Sequence, residues 1–360
     1  MTASADRLDR GMTGAASFRG PSRRFAAVAG FTLFATMVVS AFLMPLAYMT
    51  ATAFKSEGQT SAPGAPLYPA SPETFTYQGE DYPVFKVPTE DGMKVWALIE
   101  PHREDSVFID PQNLAAGPIN WIGRWRTLEQ NWAFELNTDN FARAWDVLDF
   151  PRMLFNTFAI AALSTIGAVA SGICVAYGFS RYRFPGRNGL FLLMLATIIL
   201  PFQVTLIPTY AVYFAFGWVG TWLPLIVPHF FANAYNVFLL WQYFLTIPRD
   251  LDEAAMIDGA GPLRILWSVI IPQAIPAIVA VTLFHFFWAW NEYFLPLVYL
   301  QSSPDLQPLS VGLGRFNALY SAESTVVQAA ALMAMALPVV VFFVAQRAFM
   351  RGVVFGGVEK

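Results

Sequence analysis

The sequence predicts an all-α polytopic membrane protein with six transmembrane helices and a small β-containing insertion between the first two. Three observations carry that expectation. Apolar residues make up 56% of the chain and charged residues 13%, against roughly 45–50% and 25% in soluble domains. The apolar residues gather into six runs, each near the roughly 20 residues that a bilayer requires. The cations are segregated: thirteen Lys and Arg flank those runs on one side, and the opposing short loops offer only Arg315. By the positive-inside rule the richer side is cytoplasmic, with both chain termini inside and the cell (inner) membrane as the expected location.

Residues 1–24 form a polar tail bearing Arg7, Arg10, Arg19, Arg23 and Arg24. The run that follows, 25–54, is too long for a signal-peptide core of about 7–15 residues and reads as a first, uncleaved span. The later runs fall at 153–178, 190–214, 222–245, 273–298 and 326–349 within a core of 151–350, and 351–360 is a second cytoplasmic tail. The run at 153–178 carries Ala161, Ala162, Thr165, Ala168, Gly172 and Ala176, small residues that let helices approach closely. Prolines recur in the later runs (Pro201, Pro208, Pro224, Pro228, Pro276, Pro296 and Pro338). Lipid tolerates such breaks only where neighbours or a cavity satisfy the freed carbonyls.

The extracytoplasmic insertion spans 55–150 and opens on a Pro/Ser/Gly-rich linker. Thr74–Tyr77, Tyr82–Val87 and Met93–Ile99 read as strands, with turns at Gln78-Gly79 and Asp91-Gly92, and together predict a small antiparallel sheet. Residues 138–148 read as an amphipathic helix near the membrane, capped by Thr138 or Asp139.

Between the fourth and fifth runs lies 247–272, which is too polar to cross a bilayer and too short to be a domain. Pro248 suits a first helical position, and Asp250, Asp252 and Glu253 load the first turn with negative charge. Ala254 and Ala255 follow, Gly259 supplies a left-handed stop, and Pro262 starts a second short helix. An apolar underside is expected from Leu251, Ala255, Leu263, Leu266 and Trp267.

Glu253-Ala254-Ala255, Gly259 and Val269-Ile270-Ile271-Pro272 resemble the EAA loop of ABC importer permeases, in motif and in spacing. The stretch Ala176-Tyr177-Gly178-Phe179-Ser180-Arg181 with Phe184 and Gly186, Asn156-Thr157 and Trp290-Asn291-Glu292 are similar to segments of the same family, in its carbohydrate-uptake branch. The resemblance implies the type I transmembrane-domain fold of ABC importers. It implies coupling through Glu253, Ala254, Ala255, Asp258, Gly259 and Pro272, which dock on a cytoplasmic ATPase. It further implies a second permease subunit, two ATPase subunits that hold ATP and Mg, and an extracytoplasmic solute-binding protein. The implied cargo is a sugar or oligosaccharide, with a glycerol phosphate as the alternative.

Enzymatic constellations are thin. No G-x-x-x-x-G-K-[ST] occurs, so the chain has no Walker site for ATP. His102, His229 and His285 show no metal-ligand spacing, and Cys174 stands alone in an apolar run, so neither a metal nor a disulfide is expected. A secondary transporter would need ionisable residues at the midplane, where Glu292 is nearly alone. Trp290, Asn291, Glu292 and His285 are candidates for the translocation pathway or gate, since a carboxylate at membrane depth is costly. An interfacial Glu292 that fixes packing, and a packed His285, are the competing readings. Trp121, Arg124, Trp125 and Arg126 concentrate aromatics and cations in a segment holding fifteen of the chain's 25 acidic residues. They read as a docking patch for the binding protein, as anchors at the membrane interface, as a small core beneath the sheet, or, given a cavity, as a sugar-stacking site. Membrane lipid is the expected surround, and no nucleic-acid partner is expected.

Overall fold

The computed structural model describes residues 21–62, 64–320 and 323–355. Most of the N-terminal tail and residues 356–360 of the C-terminal tail therefore lie outside the described residues. Among the described residues, five helical stretches are long and apolar enough to cross a membrane, or up to six if one sharply bent pair counts as a single span. Helix α1 (Pro21–Ala53) supplies the first, with Pro45 inside it. As far as Ala51 it is a unit by itself, and Thr52 onward forms a second unit.

The second unit begins with a short helix, α2 (Glu57–Ser61), and then the sheet. Strands β2 (Thr74–Tyr77), β3 (Glu80–Thr89), β4 (Gly92–Glu100), β5 (Asp105–Ile109) and β6 (Ile119–Ile122) pair in order, each antiparallel to the next. A short β7 (Glu129–Gln130) joins β3, while β1 (Ala70–Pro72) pairs separately with β8 (Trp132–Phe134). The first hairpin turns at Gln78-Gly79, both with positive φ (54° and 89°), the geometry that matches the twist of its strands. The second turns one residue earlier than expected. Thr89 pairs with Gly92, so Glu90-Asp91 form the loop and Gly92, at φ 115°, opens the strand. The strands run longer than their apolar cores because pairing continues past the last buried side chain. One face packs Phe85, Val87, Trp96, Leu98 and Phe108 into a small core.

Helix α3 (Asp139–Val147) follows, and neither expected cap is made by its own side chain. Asn137 Oδ1 instead accepts from the Asp139 N–H at 2.9 Å. Buried Asn140 donates to the carbonyls of Ala53 (2.9 Å) and Lys55 (2.8 Å).

The long helix α4 (Phe150–Arg181) is the spine of the bundle. Its Ala161, Ala168 and Ala176 are fully buried, as a small-residue face requires. The third run is not a straight span. Helices α5 (Arg187–Ile199) and α6 (Phe202–Ala215) meet at 99°. Pro201 lacks an N–H and forces the preceding residue out of the helical region, so Leu200 sits at ψ 118°.

The fourth run is also interrupted. Helix α7 (Leu223–Ile226) tightens into a 3-10 turn (Val227–Phe231) containing Pro228, and α8 (Ala234–Thr246) restarts beyond it. Ala232 holds φ 65° at the break, and Asn233 Oδ1 caps the new helix through the Tyr235 and Asn236 N–H groups. Ser171 of α4 stitches the gap: its Oγ accepts from the Ala232 N–H and lies 3.1 Å from the His229 carbonyl. A side-chain hydroxyl from a neighbouring helix thus replaces the helical bonds lost at the break.

Helix α9 (Asp250–Ile257) and α10 (Pro262–Ile265) form the polar connector. Pro248 lies ahead of α9 rather than in its first turn, because the chain is still extended at Ile247 (ψ 123°). Beyond α10 there is no second start at Pro272. A π turn (Leu266–Ile270) runs straight into α11 (Ile271–Asn291), giving one stretch from Pro262 to Asn291. That span ends at Asn291 rather than at 298, and α12 (Phe294–Tyr299) and α13 (Leu309–Leu319) follow. Helix α14 (Ser324–Phe355), with Pro338 inside, is the last span.

Candidate functional site

The connector is a rigid two-helix corner. Gly259 sits at φ 79°; its N–H donates to the Met256 carbonyl (3.0 Å), and the Ala260 N–H donates to that of Ala255 (2.9 Å). These two bonds are the Schellman pair that ends a helix on a left-handed residue. Gly261 and Pro262 then launch α10 at once.

The buried side of α9 is the reverse of the expected one. Asp252 is buried, whereas Leu251, Met256, Ile257, Leu263 and Trp267 lie 40–87% exposed. Leu266 alone among the large expected underside residues is buried, at 4%. Asp252 faces inward because Arg181, the last residue of α4, waits there, with its Nε 2.9 Å from Asp252 Oδ2. The Arg181 Nη2 also donates to the Ile247 carbonyl, and the Arg249 Nη2 to that of Ser180. Tyr177 OH donates to the Pro262 carbonyl at 3.1 Å and receives a bond from Tyr182 OH. Burial pushes the Asp252 carboxyl above its ordinary range, against the pull of Arg181 and Arg249. The A-Y-G-F-S-R stretch is therefore a clamp: α4 holds the corner by one buried ion pair and several carbonyl contacts. Of the motif residues, Glu253, Ala254, Asp258 and Gly259 are exposed and Ala255 half-buried, and Pro272 lies within the continuous helix rather than on the corner.

The Trp290-Asn291-Glu292 stretch separates into three jobs. Trp290 is 5% exposed and packs on Phe286. Asn291 is exposed, and its Nδ2 donates to the Phe287 carbonyl one turn back. Glu292 caps α12, its Oε1 accepting from the Phe294 and Leu295 N–H groups, and its carbonyl accepts from Ser310 Oγ. Glu292 also lines a small cavity, about 30 Å³, together with Thr157, Ser164, His229 and Trp288. His285, 4% exposed, meets the Asn236 side chain at 3.1 Å through Nδ1. Its ring lies edge-on to that of His229, centroids 4.9 Å apart, with Trp288 beside both. Linear spacing could not show this pairing, which depends on the break in the fourth run carrying His229 to α11. Among the described residues no three His, Cys, Asp or Glu gather as a metal set.

In the insertion, the two tryptophans belong to the sheet's core. Trp121 meets Phe108 edge-on at 5.9 Å and donates Nε1–H to the Pro88 carbonyl, and Trp125 meets Phe85 edge-on at 6.0 Å. Arg124 and Arg126 are exposed, with the Arg126 guanidinium 5.3 Å from the Trp125 ring centre.

The backbone as a whole matches the crystal structure of a bacterial ABC transporter involved in the import of the acidic polysaccharide alginate. The TM-score is 0.62 at 20% identity, covering 92% of this chain and 99% of that one. The fold is that of a type I ABC importer permease, mostly helical and crossing the membrane several times. The chain belongs to the family of binding-protein-dependent transport system inner membrane components, whose model matches residues 149–354. It is 36% identical over 206 residues to the osmoprotective compounds uptake permease protein GgtD of Synechocystis sp. (57% of this chain, 69% of that one). It is 31% identical over 261 residues to the sn-glycerol-3-phosphate transport system permease protein UgpE of Yersinia pestis (72% of this chain, 88% of that one).

Proposed function

We propose that this chain is one half of a permease heterodimer, and that its 247–272 corner is the surface on which a cytoplasmic ATPase subunit docks. The observation that carries this reading is the inverted corner, whose apolar side chains face outward while a buried ion pair fixes its back to α4. Large apolar side chains held in the open on a polar connector mark a partner surface. Closure of two ATPase subunits around ATP and Mg would then move α4 and the helix from Pro262 to Asn291 as bodies, shifting a bistable bundle between two states. The small cavity beside Glu292, about 30 Å³, has room for one or two waters and for no solute, which fits a pathway completed by a second permease. A pathway would open between the two permeases, with Glu292, His285 and Asn291 near it and an extracytoplasmic binding protein delivering the cargo. The cargo in this reading is a sugar, an oligosaccharide or a small polyol phosphate, the last being the class named in the glycerol-3-phosphate relatives.

In this reading both termini and the corner are cytoplasmic and the sheet is extracytoplasmic. In a Cys174→Ser background, single cysteines at exposed Asn113 and exposed Asn188 separate the sides. An impermeant thiol reagent on intact spheroplasts is expected to label the first and spare the second; the opposite pattern overturns the orientation. The subunit reading has its own check. Tagged chain expressed with its natural operon neighbours is expected to bring down an ATPase subunit, and a chain that purifies only with itself would remove the reading.

A further inference from the structure

Two loops of the sheet converge on a cleft that the transport reading does not use. The β4–β5 loop brings Pro101, His102 and Arg103, and the turn after β6 brings Arg124, Trp125, Arg126 and Thr127, around a volume of about 780 Å³. That is the size of site that takes a ligand of several rings' bulk rather than an ion alone.

Three arginines line this cleft in the most acidic part of the chain, yet none has an ion-pair partner among the described residues. The remaining cations of the segment with recorded pairs show that carboxylates are within reach: Lys86 pairs with Glu129, Lys94 with Asp91, and Arg143 with Glu323. Glu104 and Asp105 follow Arg103 directly without pairing to it. Like charges gathered without counter-charge repel one another, and an incoming anion removes that repulsion.

The cleft is also held in shape before any ligand arrives. The Gly123 N–H donates to the Glu104 carbonyl at 2.8 Å, tying one loop to the other. Gly123 has φ 154°, and a Cβ there would lie 2.3 Å from the Trp121 ring, so only glycine allows the ring to fold over the junction. Ser106, fully buried, exchanges hydrogen bonds with the backbone of His102. Thr127 Oγ1 and N–H both donate to the Arg124 carbonyl. Trp125 is seated on Phe85 and carries Arg126 against its ring. Loops fixed in this way lose little entropy on binding, and guanidinium forks match the planar oxygens of carboxylate and phosphate.

We propose that this cleft binds a small soluble anion, a sugar acid or sugar phosphate, through Arg103, Arg124 and Arg126. The test uses the full chain in phosphatidylcholine nanodiscs and isothermal titration with glucuronate and glucose 1-phosphate, with glucose as the neutral control. Either anion is expected to bind, glucose is not, and raising the salt weakens binding. Arg124→Gln with Arg126→Gln is expected to weaken it about tenfold or more, the loss of at least one charge-assisted hydrogen bond. Arg124→Lys with Arg126→Lys is expected to fall between, keeping charge without the fork. All these side chains are exposed, and an unchanged melting temperature verifies that each variant is folded. Absence of anion binding, or equal binding by the Gln variant, overturns the proposal. So does displacement of both anions by phosphatidylglycerol added to the nanodisc, which assigns the cleft to a lipid headgroup. Because no ATPase enters the assay, failure here leaves the permease reading untouched.

Discussion

Replacing Asp252 by Asn is expected to destabilise the chain by about 1–3 kcal/mol, less than the usual cost of breaking a buried ion pair because burial already opposes the Asp252 charge. The Arg181 side chain is only 6% exposed, so its guanidinium cannot recover hydration without leaving the clamp. Thermal unfolding in detergent, followed by size-exclusion chromatography, measures the loss. The informative comparison is the double variant Arg181→Met with Asp252→Leu. Burial already works against the charge on Asp252, and an apolar pair of similar size is often as stable as the buried ions it replaces. The double variant is therefore expected to recover most of the melting temperature that the single one loses. If Asp252→Asn melts with the parent, the pair does not hold the corner, and the clamp assigned to α4 is wrong.

The second large effect is expected at Gly259, on coupling rather than folding. A β-branched side chain at φ 79° is strained by about 1–3 kcal/mol. Nothing lies within 4 Å of where its Cβ would go, so the penalty is purely one of backbone conformation. Gly259→Val is expected to relieve it by reopening the angle between α9 and α10, which moves exposed Leu263 relative to exposed Met256 and Ile257. Gly259→Asn, which tolerates the left-handed region, is expected to keep most of the function. In a reconstituted importer, solute-stimulated ATP hydrolysis should fall to near the basal rate for Val and remain near the parent rate for Asn. Equal stimulation in the two variants would mean that the corner's shape does not matter to coupling.

The contrast between what the residues disclosed and what they hid has physical causes. Gly259 was legible because a glycine after an acidic, alanine-bearing turn has one common use, and Gln78-Gly79 was legible for the same local reason. That several apolar runs cross a membrane was legible, but their shape was not. Pro201, Pro208 and Pro228 are similar in sequence, yet Pro201 lies at a 99° bend, Pro228 lies in a 3-10 turn and Pro208 sits inside a helix. The outcome depends on whether a neighbour such as Ser171 can stitch the gap. Periodicity placed Leu251 and Leu263 beneath the corner because apolar faces usually turn inward. Only the distant Arg181 reverses the rule by drawing Asp252 in. The insertion's tryptophans resisted assignment for a related reason: the aromatic ring that anchors an interface also fills the core of a small sheet. Trp121 and Trp125 became core only once Phe108 and Phe85 were brought beneath them by pairing.

Helix α3 has attachments that bear on more than its own stability. Through Asn140 it grips the carbonyls of Ala53 and Lys55, where α1 gives way to the insertion, and through Arg143 it grips Glu323, just ahead of α14. The rings of Phe54 and Phe141 also pack together, tilted by 45° with centroids 4.8 Å apart. An element pinned at two separate places acts as a strut rather than a tether. Displacement of α14 must therefore strain α3 or carry it along, and the chain leading back to the sheet is carried with it. The sheet would then behave as a pointer on a dial, its tilt registering the state of the helical bundle.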